Sequence, residues 1–202
     1  MSEPWLNISF PERLFVMGAG PSLEILYEHR REANEWGDWA VLRSDLVQPL
    51  LQFIQPKYTI RYYAAIRHLN KTYGIPLEEV HPDTNGDGRA GGSSIHEFIY
   101  QFQDHGGKEL FLFGFDGDDS GHWRGIGKYV FPGTNKTLPW PYMGEAPSDW
   151  PSGKDSPHVQ DADHMNKCSS QISIKLFHIG KTRHKTMKQI TIDELKGTYL
   201  NA

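Results

Sequence analysis

The sequence has little cysteine, no long apolar run and no excess of positive charge. Its 202 residues include a single cysteine, Cys168, which excludes an internal disulfide and fits a reducing compartment. Residues 1–10 lack the basic and apolar parts of a signal peptide, and no apolar run reaches the roughly 20 residues that cross a membrane. The net charge of -4 provides no basic face for nucleic acid. We therefore expect a cytoplasmic protein with no nucleic-acid partner and no transmembrane segment, with contact at a membrane surface left open.

Short apolar runs alternate with segments of helical periodicity through the first 120 residues. The clearest runs are residues 14–17 and 109–113, and each is followed by glycine, which is typical of buried parallel strands. Strands that alternate with helices form βαβ units. The pattern predicts an α/β fold with a Rossmann-like, mostly parallel sheet and helices on both faces.

Residues 120–160 differ from the rest because they are rich in glycine, proline and tryptophan and have little periodicity. Long irregular segments are usually functional or disordered, and the tryptophans argue against disorder. We predict one nucleotide-binding α/β domain over residues 1–202, with residues 120–160 as a lid. Residues 172–179 are expected to form the final strand, and Thr191 to begin a short helix through a capping box.

A glycine turn follows the first predicted strand and has the sequence Gly18-Ala19-Gly20-Pro21-Ser22. Glycines allow backbone N–H groups to approach a phosphate closely, and the N-terminus of the next helix favours negative charge. The turn is not a complete GxGxxG motif, because Leu23 occupies the third glycine position, and it is not a P-loop. The two interpretations are a phosphate-binding turn and a tight strand–helix turn without a ligand. In either case Ser22 can cap the helix.

Two more polar segments follow predicted strands. Asp45 ends the second strand, where its carboxylate can accept hydrogen bonds from a ribose or a base, or can cap the next helix. The other segment is a second anion-binding helix start, or a simple capping arrangement, and contains Arg89, Gly92, Ser93 and Ser94. Because the carboxyl ends of parallel strands share one edge, we expect these residues to join the glycine turn near a topological switch point.

An acidic turn follows residues 109–113 and contains Asp116 and Asp118. Asp116 can orient a substrate hydroxyl group. Alternatively, the two carboxylates form a DxD pair, which in many sugar-nucleotide transferases binds a divalent metal that bridges the diphosphate. A solvated acidic turn is the third interpretation. The first interpretation assigns no metal, whereas the second makes magnesium a cofactor.

Three of the ten histidines, His122, His158 and His164, lie in or beside the predicted lid. A histidine next to an acceptor hydroxyl can act as a general base, since its pKa lies near neutrality. No closely spaced HxH or HxxxH pattern favours a metal site. Most other histidines are expected at the surface, and the basic residues 181–188 are expected to form a solvated face. Contact of that face with an anionic acceptor or a membrane is the alternative.

Three patterns together resemble a known group of proteins. They are GxGPSL after the first strand, a helix start of the form Arg-x-x-Gly/Ser, and a strand that ends in Gly-x-Asp. They are similar to those of bacterial sialyltransferases of the Campylobacter lipooligosaccharide type and of the motility-accessory-factor and 6-hydroxymethylpterin pyrophosphokinase-like family. These proteins share a Rossmann-like sheet with a lid. The resemblance covers residues 12–118, the closing strand and the tail at residues 189–195.

The resemblance implies a glycosyltransferase with a nucleotide-sugar donor, most like a CMP-sialic acid-dependent sialyltransferase, and a glycan or other hydroxyl acceptor. It implies that the nucleotide is held by Gly18, Ala19, Gly20, Ser22 and Asp45. It implies that the sugar or phosphate meets Arg89, Gly92 and Ser93, and that Asp116 meets the nucleotide or sugar. His158 best resembles the lid histidine that acts as the base.

The chain also departs from that family. The family usually has asparagine where this chain has Ala19 and Asp45, and the helix expected between the lid histidine and the last strand is nearly absent from the sequence pattern. These departures keep two alternatives open. One is a magnesium-dependent pyrophosphokinase-like enzyme, and the other is a non-catalytic nucleotide-binding module.

Overall fold

The computed structural model describes residues 9–42, 47–60, 78–80, 94–117, 123, 128–130, 137–139, 157–167 and 169–201. The strands are β1 (Arg13–Met17), β2 (Trp39–Val41), β3 (Tyr58–Ile60), β4 (Glu78–Val80), β5 (Glu109–Phe113), β6 (Lys128–Val130), β7 (Thr137–Pro139), β8 (Lys175–Ile179) and β9 (Lys188–Ile190). Seven of them form one sheet in the order β4-β3-β2-β1-β5-β8-β9, and every neighbouring pair is parallel. This arrangement confirms the predicted Rossmann-like α/β fold.

The helices are α1 (Leu23–Glu28), α2 (Arg30–Ala33), α3 (Gln48–Leu51), α4 (Ser94–Asp104), α5 (Pro157–Lys167) and α6 (Ile192–Glu194). A 3-10 turn covers Ser169–Gln171, and a π-helical turn, Leu195–Leu200, extends α6. Thr191 and Glu194 form the predicted capping box at the start of α6. Within the described ranges, no helix is long and apolar enough to cross a membrane.

The centre of the sheet is the pair of strands β1 and β5, which are in register over five residue pairs. Phe15 lies opposite Phe111, and Phe111 lies opposite Phe177 on β8. Their rings follow one another at centroid distances of 5.2 Å and 4.8 Å. Cross-strand aromatic contacts of this kind stabilise a sheet, and their burial makes these strands the rigid support of the turns that follow them.

Both faces of the sheet are covered, as predicted. On one face, Phe15 and Met17 pack with Leu23 and Leu26 of α1 and with Leu195 of the C-terminal helix. On the other face, a second cluster joins the sheet to α4. Its members from these elements include Leu14, Val16, Tyr58, Ile95, Phe98 and Phe102. Because successive strand residues point to opposite faces, β1 contributes to both cores.

Three predictions about the second half of the chain were wrong in detail. Residues 120–160 are not irregular throughout, because β6 and β7 form an antiparallel hairpin there. A helix does lie between His158 and the strands that follow, since α5 has 11 residues and includes His158 near its start. The strand at residues 172–179 is not the last, because β9 follows it at the edge of the sheet. The extents of the predicted domain and lid remain predictions.

Candidate functional site

The strand order creates a crevice between the carboxyl ends of β1 and β5. The chain leaves β1 toward β2 on one side and leaves β5 toward β8 on the other. Open α/β sheets usually bind their ligands in the crevice that such a reversal of strand order creates. Two turns meet there, the glycine turn (residues 18–22) and the β5 turn (residues 114–117).

The two glycines of the glycine turn are required by its contact with the β5 turn. A Cβ atom on Gly18 would lie 2.4 Å from the backbone carbonyl oxygen of Gly114, and one on Gly20 would lie 2.0 Å from Oδ2 of Asp116. No side chain fits at these distances. The glycines therefore allow the β1 and β5 turns to pack directly against each other.

The backbone donors of the glycine turn are all used within the protein. The Gly18 N–H donates to the Phe113 carbonyl oxygen at 2.7 Å. The N–H groups of Ala19 and Gly20 both donate to the Gly114 carbonyl oxygen, at 3.1 and 2.8 Å. The Ser22 N–H donates to Asp116 Oδ2 at 3.2 Å, and Pro21 has no N–H. The turn thus has no spare backbone donor. Its N–H groups are not available to a phosphate, contrary to the expectation from the sequence.

Ser22 stands at the position just before α1, but its side chain does not cap that helix. Its hydroxyl instead accepts the Gly114 N–H at 2.9 Å and donates to Asp116 Oδ2 at 3.2 Å. With its backbone N–H also bound to Oδ2, Ser22 holds one carboxylate oxygen of Asp116 from two directions. The capping prediction was wrong because the β5 turn competes for the same hydroxyl.

His178 on β8 lies beneath this contact and was not singled out from the sequence. It is fully buried, and its Nε2 accepts the Phe115 N–H at 3.3 Å and lies 3.4 Å from Ser22 Oγ. Its Nδ1 lies 3.3 Å from the Gly180 carbonyl oxygen. Burial lowers the pKa of His178 to about 4, although the hydrogen bond to Gly180 acts in the opposite direction. The side chain is therefore uncharged near neutral pH.

Two more histidines are buried near the same edge, His96 on α4 and His184 after β8. Burial lowers the pKa of His96 to about 4, with a smaller contribution from His164, whose ring centroid lies 5.8 Å away. Burial likewise lowers the pKa of His184 to about 3, with contributions from His96 and His178. The expectation that most remaining histidines lie at the surface was wrong for His96, His178 and His184, because each is enclosed by elements distant in sequence.

The segment after β8 supports the β5 turn from a third side. Thr182 Oγ1 donates to the Phe115 carbonyl at 2.7 Å, and the Arg183 N–H donates to the Asp116 carbonyl at 2.8 Å. The Arg183 guanidinium pairs with Asp163 of α5 at 3.1 Å. The basic residues 181–188 are therefore only partly the solvated face that was expected. The Thr182 hydroxyl and the Arg183 N–H hold the backbone of residues 115 and 116.

Trp123 connects the beginning of the predicted lid to the glycine turn. Its N–H donates to the Ala19 carbonyl at 2.7 Å, and its indole Nε1 donates to Glu24 of α1. The ring is 2% exposed and packs against Tyr27 at a centroid distance of 5.5 Å. Trp123 is thus anchored to the wall of the crevice.

The structure brings together five of the residues selected from the sequence, namely Gly18, Ala19, Gly20, Ser22 and Asp116. Ser94 is the first residue of α4 and His158 the second residue of α5, and only their backbone positions are described. Four predicted site residues and the second aspartate of the acidic turn lie outside the described residues, and they are Asp45, Arg89, Gly92, Ser93 and Asp118. Among the described residues, no group of three or more His, Cys, Asp or Glu side chains is arranged to hold a metal ion.

The fold is similar to that of a solved protein, the MAf glycosyltransferase from Magnetospirillum magneticum AMB-1. The TM-score is 0.56 at 14% sequence identity, and the match covers 91% of this chain and 34% of that protein. The chain therefore spans about a third of the length of that protein. No protein-family model matches the chain, and no curated protein does. At this identity the likeness establishes a shared fold, in agreement with the Rossmann-like sheet implied by the resemblance.

Proposed function

We propose that this chain forms the donor-binding part of a glycosyltransferase that uses a nucleotide sugar, most like a CMP-sialic acid-dependent sialyltransferase. The observation that carries the proposal is the packing of the glycine turn against Asp116 at the switch point of the sheet. The fold likeness to a glycosyltransferase over 91% of the chain supports the same class of reaction.

Asp116 is proposed to accept hydrogen bonds from hydroxyl groups of the ribose or the sugar. Its carboxylate is half-buried and held on one oxygen by Ser22, so it is presented in a fixed orientation. A preorganised carboxylate suits a neutral hydroxyl ligand better than a phosphate, which it would repel. The glycine turn and Asp45 are proposed to contact the nucleotide by shape and by side chain.

The phosphate is proposed to bind at the start of α4. The glycine turn has no free N–H donor, whereas the sequence places Arg89, Gly92 and Ser93 just before the first residue of this 11-residue helix, Ser94. A guanidinium group and a helix N-terminus both favour an anion. This division assigns the charged part of the donor to α4 and its hydroxyl groups to Asp116.

His158 is proposed to be the general base. The acceptor hydroxyl would lose its proton to the imidazole as its oxygen bonds to the anomeric carbon, while the bond from that carbon to the nucleotide phosphate breaks. The nucleotide leaves with the bonding electron pair. An imidazole with an ordinary pKa is suited to this proton transfer.

The test is nucleotide release from CMP-sialic acid, UDP-sugars and GDP-sugars, together with thermal shifts by the same donors. Asp116→Asn should weaken donor binding, and His158→Ala should abolish turnover while donor binding remains. Asp38→Asn is the matched control, because Asp38 lies in an exposed ion pair with Lys57 away from the crevice. The absence of both turnover and a thermal shift with every donor tested would contradict the proposal.

The same panel, run with ATP and with and without magnesium, distinguishes the two alternatives. Magnesium-dependent transfer from ATP would support the pyrophosphokinase-like enzyme and the DxD interpretation of Asp116 and Asp118. Nucleotide binding without turnover of any donor would support the non-catalytic module.

A further inference from the structure

We propose that His178 is a positioning residue that fixes the Asp116 carboxylate through Ser22 and the Phe115 peptide. It lies on β8, one strand beyond the two turns of the crevice. It contacts both turns, since Nε2 is hydrogen-bonded to Phe115 and lies close to Ser22. This role deepens the proposed function, on which its kinetic test rests.

The hydrogen-bond partners assign one tautomer to His178. Because the Phe115 N–H can only donate, Nε2 must be the unprotonated nitrogen. The proton then lies on Nδ1, where it points to the Gly180 carbonyl oxygen at 3.3 Å. The lowered pKa, about 4, agrees with a neutral ring. His178 therefore acts as a fixed acceptor, and it does not take part in proton transfer at neutral pH.

The fixed acceptor determines the path of the β5 turn. With the Phe115 N–H held by His178, the preceding Gly114 N–H reaches Ser22 Oγ at 2.9 Å. This bond occupies the hydroxyl from one side and directs its proton to Asp116 Oδ2 at 3.2 Å. A serine, a histidine and an aspartate thus lie together. The aspartate contacts the serine, however, and not the histidine, so the arrangement orients a carboxylate and does not activate a nucleophile.

The Phe115 N–H is buried together with its acceptor, Nε2 of His178. Phe115 is 7% exposed, and His178 is fully buried. Removing the acceptor would leave a buried N–H group without its partner, which is costlier than losing the hydrogen bond alone. The β5 turn would shift to regain an acceptor, and Asp116 would shift with it.

The first experiment is independent of catalysis. In protein labelled with 15N-histidine, the His178 ring should show a protonated Nδ1 and an unprotonated Nε2 at pH 7. In His178→Met, the amide signals of Ser22 and Asp116 should shift more than in Leu176→Ala. The latter is the matched control, because Leu176 is buried on the same strand and face. An Nε2-protonated ring, or equal shifts in the two variants, would overturn the proposal.

The second experiment measures kinetics with whichever nucleotide sugar the wild-type protein turns over. His178→Met should raise the KM for the donor about tenfold, the equivalent of one lost buried acceptor, with a smaller change in kcat. His178→Gln, whose Oε1 can accept from Phe115, should restore most of the loss, and Leu176→Ala should leave KM unchanged. A positioning role would be contradicted if the KM for the donor rose only in step with the loss of thermal stability across all three variants.

The two experiments separate the failure of this proposal from the failure of the proposed function. If no donor is turned over, the glycosyltransferase assignment fails while the NMR comparison still decides the role of His178. If His178→Met does not fold, the tautomer of the wild-type ring still tests whether Nε2 is the acceptor, and His178→Gln tests whether another acceptor at this position keeps the Ser22 and Asp116 amide signals in place.

Discussion

Acidification from pH 7 to pH 5 should destabilise this fold because three histidines are buried in their uncharged form. Their pKa values are about 4 for His96 and His178 and about 3 for His184, with burial as the main cause. In the unfolded chain the same groups titrate near 6.5. Between these values the unfolded state binds protons that the folded state excludes, so the free energy of unfolding falls as the pH falls.

The size of the effect follows from the distance between the pH and the unfolded pKa. Each pH unit below 6.5 costs about 1.4 kcal/mol per histidine, so each costs about 2 kcal/mol at pH 5 and the three together about 6 kcal/mol. This is comparable to the whole stability of many domains. The described carboxyl groups whose pKa is shifted all have a lowered pKa, starting from ordinary values of 4.5 or less. Their contribution to the free energy of unfolding is therefore lost only below the range from pH 5 to pH 7.

The assay is urea unfolding followed by circular dichroism at pH 7, 6 and 5. The slope of the unfolding free energy between pH 5 and 6 should be about 4 kcal/mol per pH unit for three histidines, and His96→Met should lower it by about a third. Ile99→Ala on the same helix, also buried, should lower stability equally at each pH. Equal stability at pH 7 and 5, or an unchanged slope in His96→Met, would refute the reasoning.

Two further predictions concern the frame of the site, and a third concerns the C-terminal helix. Gly18→Ala should cost about 3 kcal/mol of unfolding free energy, measured in urea, because its Cβ would meet the Gly114 carbonyl at 2.4 Å and backbone has to move; a loss below about 0.5 kcal/mol would contradict the packing. Trp123→Phe should cost about 1 kcal/mol by removing the indole donor to Glu24, and should speed amide exchange at the glycine turn. Thr191→Ala should cost about 1 kcal/mol, with faster exchange confined to the C-terminal helix.

The centre of the fold could be predicted because its strands are continuous apolar runs. Phe111 and its neighbours on β5 are buried on both faces, and this produces an unambiguous signal in the sequence. β9 could not be predicted in the same way. It has three residues, Lys188 and Gln189 are exposed, and only Ile190 reaches the core. An edge strand this short carries no periodicity, and its pairing with β8 is set by the tertiary structure.

The candidate site was predicted in part for a similar reason. Gly18, Gly20 and Asp116 could be grouped because each follows a predicted strand, and parallel strands bring such residues to one edge. The acceptors of the turn's N–H groups could not be predicted, since the Gly114 carbonyl lies more than 90 residues away in the chain. His178 was missed because it stands within the apolar strand sequence KLFHI, where a histidine looks like an ordinary core residue.

The contact between Gly20 and Asp116 has a consequence for how this protein can diverge. The space that a side chain at position 20 would need is already filled by a carboxylate oxygen, so the two positions cannot change independently. An alanine at position 20 meets less hindrance once Asp116 is replaced by a smaller residue, with the Gly114 carbonyl oxygen still 3.0 Å from its Cβ. In a double-mutant cycle, Gly20→Ala should be strongly harmful alone and much milder beside Asp116→Gly. Distant homologues would then retain or exchange the two residues as a pair, which would make them detectable by covariation where overall identity is too low.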